Sequence, residues 1–203
     1  MEHIANTITI RGSLQALPAF SHENHGQRFY RFTLEVPRLS GAVDLLPVIA
    51  PAQLIEDLDP CAGAMLCVTG QIRSHNLRSA DGRHLMIFVF AGSVTVDDGE
   101  PVNDVVVEGP LCKTPVFRRT PLGREICDAM LAVPRAFRRA DYLPCILWGR
   151  VAQEVSECDV RDVVRIYGRL QSRIYTKMTP NGPVEKTAYE ISALTAEILT
   201  EDI

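Results

Sequence analysis

Apolar and polar residues alternate most plainly from Thr7 to Leu14, with Ile8 and Ile10 on one side, and from Phe29 to Val36, with Tyr30, Phe32, Leu34 and Val36 together. A period of two marks a half-buried β-strand. Leu45 to Ile49 reads as a short third strand, and Pro51 suits the first turn of a helix running to about Leu58. Ala64 to Ser74 and Leu85 to Val96 complete a set of five strands, joined by an Ala80-Asp81-Gly82 turn. The loop after the first strand carries Pro18 and a His22–Gly26 turn.

A second set follows the same plan. Asn103 to Leu111, Glu125 to Val133 and Leu143 to Trp148 predict three strands, and a helical span of about two turns lies near Arg150 to Glu157. Val163 to Tyr175 and Thr187 to Ile198 predict two more, joined by a loop through Pro180-Asn181-Gly182-Pro183. Asp-Asp-Gly-Glu-Pro, between Asp97 and Val102, favours a turn over a packed element.

The two sets are copies. Asn6 and Asn103 are 97 apart, and so are Gly12 and Gly109, Pro18 and Pro115, Phe20 and Phe117, and Gly26 and Gly123. Val36-Pro37-Arg38 repeats as Val133-Pro134-Arg135 at that offset, followed by Asp44 with Asp141 and Pro47 with Pro144. Past the helix the offset becomes 98, where Gly70 meets Gly168. Matches this regular imply a duplicated unit. Five strands with a helix between the third and fourth is the order of an OB-fold. The expected architecture is therefore all-β: two tandem five-stranded OB-fold barrels, over residues 1–98 and 103–203, each with a short helix between strands three and four.

Composition narrows the function. The chain is 46% hydrophobic and 23% charged, ordinary for a folded domain. No apolar run reaches the roughly 20 residues of a membrane helix, and Met1 to Gly12 lacks the pattern of a signal peptide, so no membrane role and a cytoplasmic location are expected. Lys and Arg number 21 against 25 Asp and Glu, a net of −4. Residues 1–100 contribute all of that net, while the second half is neutral, with six arginines between Arg118 and Arg139. A polyanion should prefer the second half.

The six cysteines, among them Cys61, Cys127 and Cys145, show no CxxC pair, and reduced thiols are expected. All five histidines lie in the first copy; His22 and His25 have no third ligand nearby, so a solvated loop is expected and no metal. No phosphate-cradling glycine loop, nucleophile elbow or paired-carboxylate motif appears, so neither an enzyme nor a cofactor is expected.

The stretch from Asp141 to Tyr175 carries the binding chemistry. Tyr142, Pro144, Ile146 and Trp148 share one face of a strand, and Tyr167, Arg169, Gln171, Arg173 and Tyr175 share one face of another. With these two strands as neighbours, rings would interleave with guanidinium groups. Single-stranded nucleic acid needs such a surface, because each base has a π-face and each linkage a charge. Taken singly, Trp148 would be a core tryptophan and the arginines a solvated edge.

The second half also resembles a known family. Asn103 opening a Val-Val-Val-Glu-Gly strand, Arg119-Thr120-Pro121-Leu122-Gly123, Leu131-Ala132-Val133, Tyr142 to Gly149 and Tyr167 to Tyr175 resemble segments of bacterial single-stranded DNA-binding proteins, with the primosomal protein PriB as a cousin. The resemblance implies non-sequence-specific binding of single-stranded DNA in replication, recombination or repair. Bases would stack on Tyr142, Trp148 and Tyr175; Tyr167, Arg169, Arg173, Lys177 and Arg119 complete the expected site. The loop from Thr176 to Glu185 would close over the strand. The resemblance further implies a homodimer of four barrels, with replication or recombination proteins as possible partners. It departs from the family at Pro144, where a basic residue is common, and at Glu201-Asp202-Ile203, at most a short counterpart of the family's acidic tail.

The first copy has lost the matching groups. Leu45, Pro51, Gln71, His75 and Leu77 stand where the second has Tyr142, Trp148, Arg169, Arg173 and Tyr175, so a structural or interface role is expected for it. An alternative reading for the chain is a PriB-like or mobile-element module that holds another protein.

Overall fold

In the computed structural model, which describes residues 5–56, 58, 60–79, 82–179 and 182–199, the alternating segments form one continuous sheet. The first half contains β1 (Asn6–Leu14), β2 (Ala19–Asn24), β3 (Gln27–Pro37), β4 (Val43–Pro51), β5 (Met65–Ser79) and β6 (Gly82–Val96). The second contains β7 (Val102–Pro110), β8 (Val116–Arg119), β9 (Glu125–Arg135), β10 (Arg139–Trp148), α1 (Gly149–Ser156), β11 (Val163–Thr179) and β12 (Gly182–Leu199).

Each half closes on itself in the same order. β3 pairs with β4, β4 runs parallel to β6, β6 pairs with β5, and β5 pairs with β1, which meets β3 again at Ser13 and Leu14. In the second half β9, β10, β12, β11 and β7 repeat the circuit, and a Leu111–Leu131 bridge closes it. The inward residues of the barrel strands are mostly apolar, including Ile8, Leu34, Val48 and Val68 in one barrel and Val107, Leu131, Leu147 and Ile166 in the other. These are two OB-fold barrels, as expected from strand order. The first loop of each copy adds a short sixth strand, β2 or β8, that pairs with the second barrel strand.

Three local expectations need correction. The first-copy helix is a single 3-10 turn, Ala52–Leu54. Its counterpart α1 has Ala152 and Val155 buried on one side and an Arg150–Glu154 ion pair across a turn, whereas among the described residues from Ala52 to Leu58 the first copy fully buries Ile55 alone. The expected closing loop from Thr176 to Glu185 is the end of the β11–β12 hairpin, paired as far as Thr179 and Gly182. Finally, β10 and β11 are not neighbours, because β12 lies between them. The Ala80-Asp81 and Pro180-Asn181 turn residues, His3 and Glu201-Asp202-Ile203 lie outside the described residues.

The halves join through their first strands. β1 and β7 run antiparallel, and Ile8 pairs with Val105, its own counterpart at the repeat offset. A two-fold axis relating the copies must pass between those residues. The outer contacts obey the same symmetry. Asp44 accepts bonds from Arg38 and from the Ser172 backbone N–H at 2.7 Å, tying β4 to the arm of the other half. Its counterpart Asp141 accepts from Arg135, Arg73 and the Ser74 backbone N–H, the last again at 2.7 Å. Both carboxylates are 1% exposed, so the acceptor side of each lock is closed to water while its guanidiniums stay partly open.

Gly70 and Gly168 sit at matching irregularities in β5 and β11. A Cβ on either would stand 2.1–2.2 Å from a carbonyl oxygen of the paired strand, so only glycine permits the approach. Beyond these points the hairpins leave their own barrels and reach across the opposite half.

Candidate nucleic-acid interface

The outer face of the second barrel is assembled from β11, β12, β10 and β9, with cross-strand partners on one side. Arg169 faces Ser192, Ser192 faces Ile146, and Ile146 faces Asp128. One step along, Gln171 faces Glu190, and Arg173 and Tyr175 face Ala188 and Lys186. The insertion of β12 therefore separates the two predicted strips and places Glu190 and Lys186 in their gap. Ring-to-guanidinium contact survives within β11, where the Arg173 guanidinium lies 5.8 Å from the Tyr175 ring centre.

The three predicted stacking residues are open to solvent. Tyr142 is 43% exposed, Trp148 38% and Tyr175 37%. Trp148 ends β10 and is followed by Gly149, whose φ of 57° turns the chain into α1 and leaves the indole at the strand's end. Its Nε1 donates to Ser192 Oγ at 3.2 Å, so the polar edge of the ring is satisfied while the indole stays partly exposed. The Tyr142 backbone N–H donates to Ser74 Oγ at 2.7 Å; the first half thus holds a ring of the second in place. Ile146, on the same strand face, is buried and offers no surface.

The cations divide. Arg169 and Lys177 form no ion pair among the described residues, and Arg169 Nε is buried without a hydrogen-bond partner there. Arg173 is exposed, with Glu190 at 3.8 Å. Tyr167 stands apart, opposite Val106 of β7 over the seam between the halves. Beside it, Glu108 and then Tyr167 hold the Arg165 guanidinium above its ordinary pKa. Arg119 faces away: it pairs with Glu125, which Gln153 of α1 also contacts. Its neighbour Arg118 instead shares a row with Ile126 and Trp148, and bonds Asp128 at 2.5 Å. Asp128 first, and Glu190 among the weaker influences, raise the Arg118 pKa, as placement on the Trp148 side requires.

The family model for the single-strand binding protein family matches residues 102–199. Single-stranded DNA-binding protein B of Bacillus subtilis is 35% identical over 80 residues, which cover 71% of that protein and 36% of this chain. The chain belongs to the single-strand binding protein family. Single-stranded DNA-binding protein A of the same bacterium is 37% identical over 81 residues, and only 47% of its length is covered. The wild-type single-stranded DNA binding protein from Thermus aquaticus superposes with a TM-score of 0.80 over 99% of this chain and 96% of that one, at 21% identity. That likeness extends the shared fold to the first half, which the family model does not reach.

Within this family member, three residues of the face carry no sequence signal of their own. Arg118 counts among the six arginines of this region, but a four-residue strand gives too few alternations to tell its parity from that of Arg119. Ser192 and Glu190 were missed because they lie on β12, whose place between β10 and β11 follows from barrel closure and not from chain order. Both flank the core residue Ile191 and belong to no motif.

Proposed function

We propose that the chain binds single-stranded DNA without sequence preference, by occupancy and without chemistry. The observation that carries this is the outer face of the second barrel, where Tyr142, Trp148 and Tyr175 stay open beside Arg169, Arg173 and Lys177. Bases would stack on the rings, at about 1–3 kcal/mol per base, and phosphates would meet the cations. Arg118 joins the set in place of Arg119. Membership of the single-strand binding protein family supports the reading. In this reading residues 103–203 form the principal binding domain and residues 1–98 its support, with Ser74 and Asp141 as the coupling.

The proposed role is in replication, recombination or repair, as a homodimer carrying four barrels; sedimentation equilibrium tests the assembly. The binding itself is tested by titrating the full chain with oligo-dT and with duplex of equal length at two salt concentrations. Binding to oligo-dT should exceed that to duplex and weaken as salt rises. Equal affinity for the two would overturn the proposal.

A further inference from the structure

Among the described residues the most exposed aromatic ring is Phe137, in the three-residue turn between β9 and β10. It is 94% open, whereas Tyr142, Trp148 and Tyr175 keep more than half of their surface covered. The backbone resists this arrangement. Phe137 has a φ of 61° and Arg138 one of 54°, a left-handed conformation that bulky side chains rarely adopt. The first copy has Ser40 and Gly41 at these repeat positions, and of the two only Gly41, at 85°, has a positive φ. Strain of this kind gathers at binding sites, because elsewhere glycine relieves it.

Charge sets the tip apart too. From Ala129 to Ala140 the sequence has Arg135, Arg138 and Arg139 and no acid. Asp141 holds Arg135, but Arg138 and Arg139, both exposed, enter no ion pair among the described residues. Arginines elsewhere are mostly neutralised: Arg11, Arg38, Arg73, Arg118 and Arg165 all hold carboxylates. Tyr142 of the proposed binding face stands three residues along β10 from Arg139, about 10 Å of strand. A ring on a turn tip has no sheet beside it along which a row of bases could be led. It suits a flat apolar surface that is already ordered and carries phosphates at its edges. The last base pair of a duplex has that form, and phenylalanine serves as a wedge against base steps.

We infer that the β9–β10 tip recognises the junction between single- and double-stranded DNA. Phe137 stacks on the terminal base pair, Arg138 and Arg139 meet phosphates at the duplex end, and one strand continues to Tyr142 and over the second-half face. The inference rests on the function proposed above.

The test titrates the full chain with an oligo-dT tail of about 20 nucleotides, longer than one barrel spans, and with the same tail joined to a hairpin duplex. The hairpin is attached at the 5′ end in one probe and at the 3′ end in another, since only one polarity brings the duplex to Phe137. The wild type should bind that probe about 5- to 150-fold more tightly than the free tail, the equivalent of one stacked base. Phe137→Gly should bind the free tail as the wild type does and lose the preference, while Phe137→Tyr keeps it. The melting temperature of Phe137→Gly should not fall, because glycine suits the positive φ; a clear fall would mean that the ring is held for stability. Equal wild-type affinity for all three probes, or a preference that survives in Phe137→Gly, would overturn the inference and leave the second-half site standing. If Phe137→Gly weakens the free tail as much as the joined one, the tip is a single-strand contact and the inference is wrong. Failure of the wild type to bind any tail would instead sink the function on which it rests.

Discussion

Asp141 is the most sensitive point in the coupling between the halves. Replacing it by alanine strips an acceptor from the Ser74 backbone N–H at 2.7 Å and the counter-charge from Arg73 and Arg135 at 3.2 and 3.3 Å. A buried donor left unpaired costs about 1–3 kcal/mol. Removing one member of a buried ion pair costs about 3–5 kcal/mol. The guanidiniums keep 18% and 28% of their side-chain exposure, so water replaces part of what they lose. The two costs also share geometry and do not add fully. A net loss of about 3 kcal/mol follows, a large share of the roughly 5–15 kcal/mol that holds a typical fold. Urea unfolding should show the midpoint falling by about 1 M or more, for a slope near 2–3 kcal/mol/M. Asp44→Ala should lose a similar amount, because the two-fold axis gives it the same kinds of partner. Asp128→Ala is the control: it removes an exposed pair with Arg118 and should cost less than about 1 kcal/mol. An Asp141→Ala variant no less stable than the Asp128→Ala control would refute the reasoning.

Other predictions follow from particular groups. Glu190→Gln should tighten oligo-dT binding several-fold and steepen its salt dependence, since a carboxylate in the gap between the strips repels phosphate; weaker binding would mean that the acid contacts bases instead. The Gly99 backbone N–H, and then Arg11, hold the Asp97 carboxyl below its ordinary 3.8, so its stabilisation is present above that value and is lost as pH falls through the lower folded one. Melting curves should show the acid-side slope reduced in Asp97→Asn, and an unchanged slope would remove the linker from the account. Burial pushes the Cys127 thiol up to about 11 and raises Cys145 as well, so at pH 8 a maleimide should label exposed Cys61 and spare both until the chain is unfolded. Mass spectrometry of the labelled protein counts the sites.

Strand positions and the duplication were legible because both are written in local periodicity and in matched residues at one offset. Strand neighbours were not. Chain order puts Trp148 and Arg169 on successive strands, but closing the barrel slides β12 between them. The exposure of Trp148 could not be read either, because the pattern ending β10 is apolar on both faces: Ile146 and Leu147 are both buried. Asp44 and Asp141, like Arg38 and Arg135, were visible as repeated pairs, yet their partners Ser172 and Ser74 come from the opposite copy, which local periodicity does not reveal. Residue parity placed the rings; long-range closure decided what stands between them.

Trp148 offers the most direct measurement, since it is the chain's single tryptophan and sits within the proposed contact surface. Titration with oligo-dT should quench its fluorescence in a saturable, salt-sensitive curve. Trp148→Ala should weaken binding by about 5- to 150-fold, the equivalent of one stacked base, with the melting temperature little changed. Full-affinity binding by that variant, or an indole signal indifferent to bound DNA, would contradict the account.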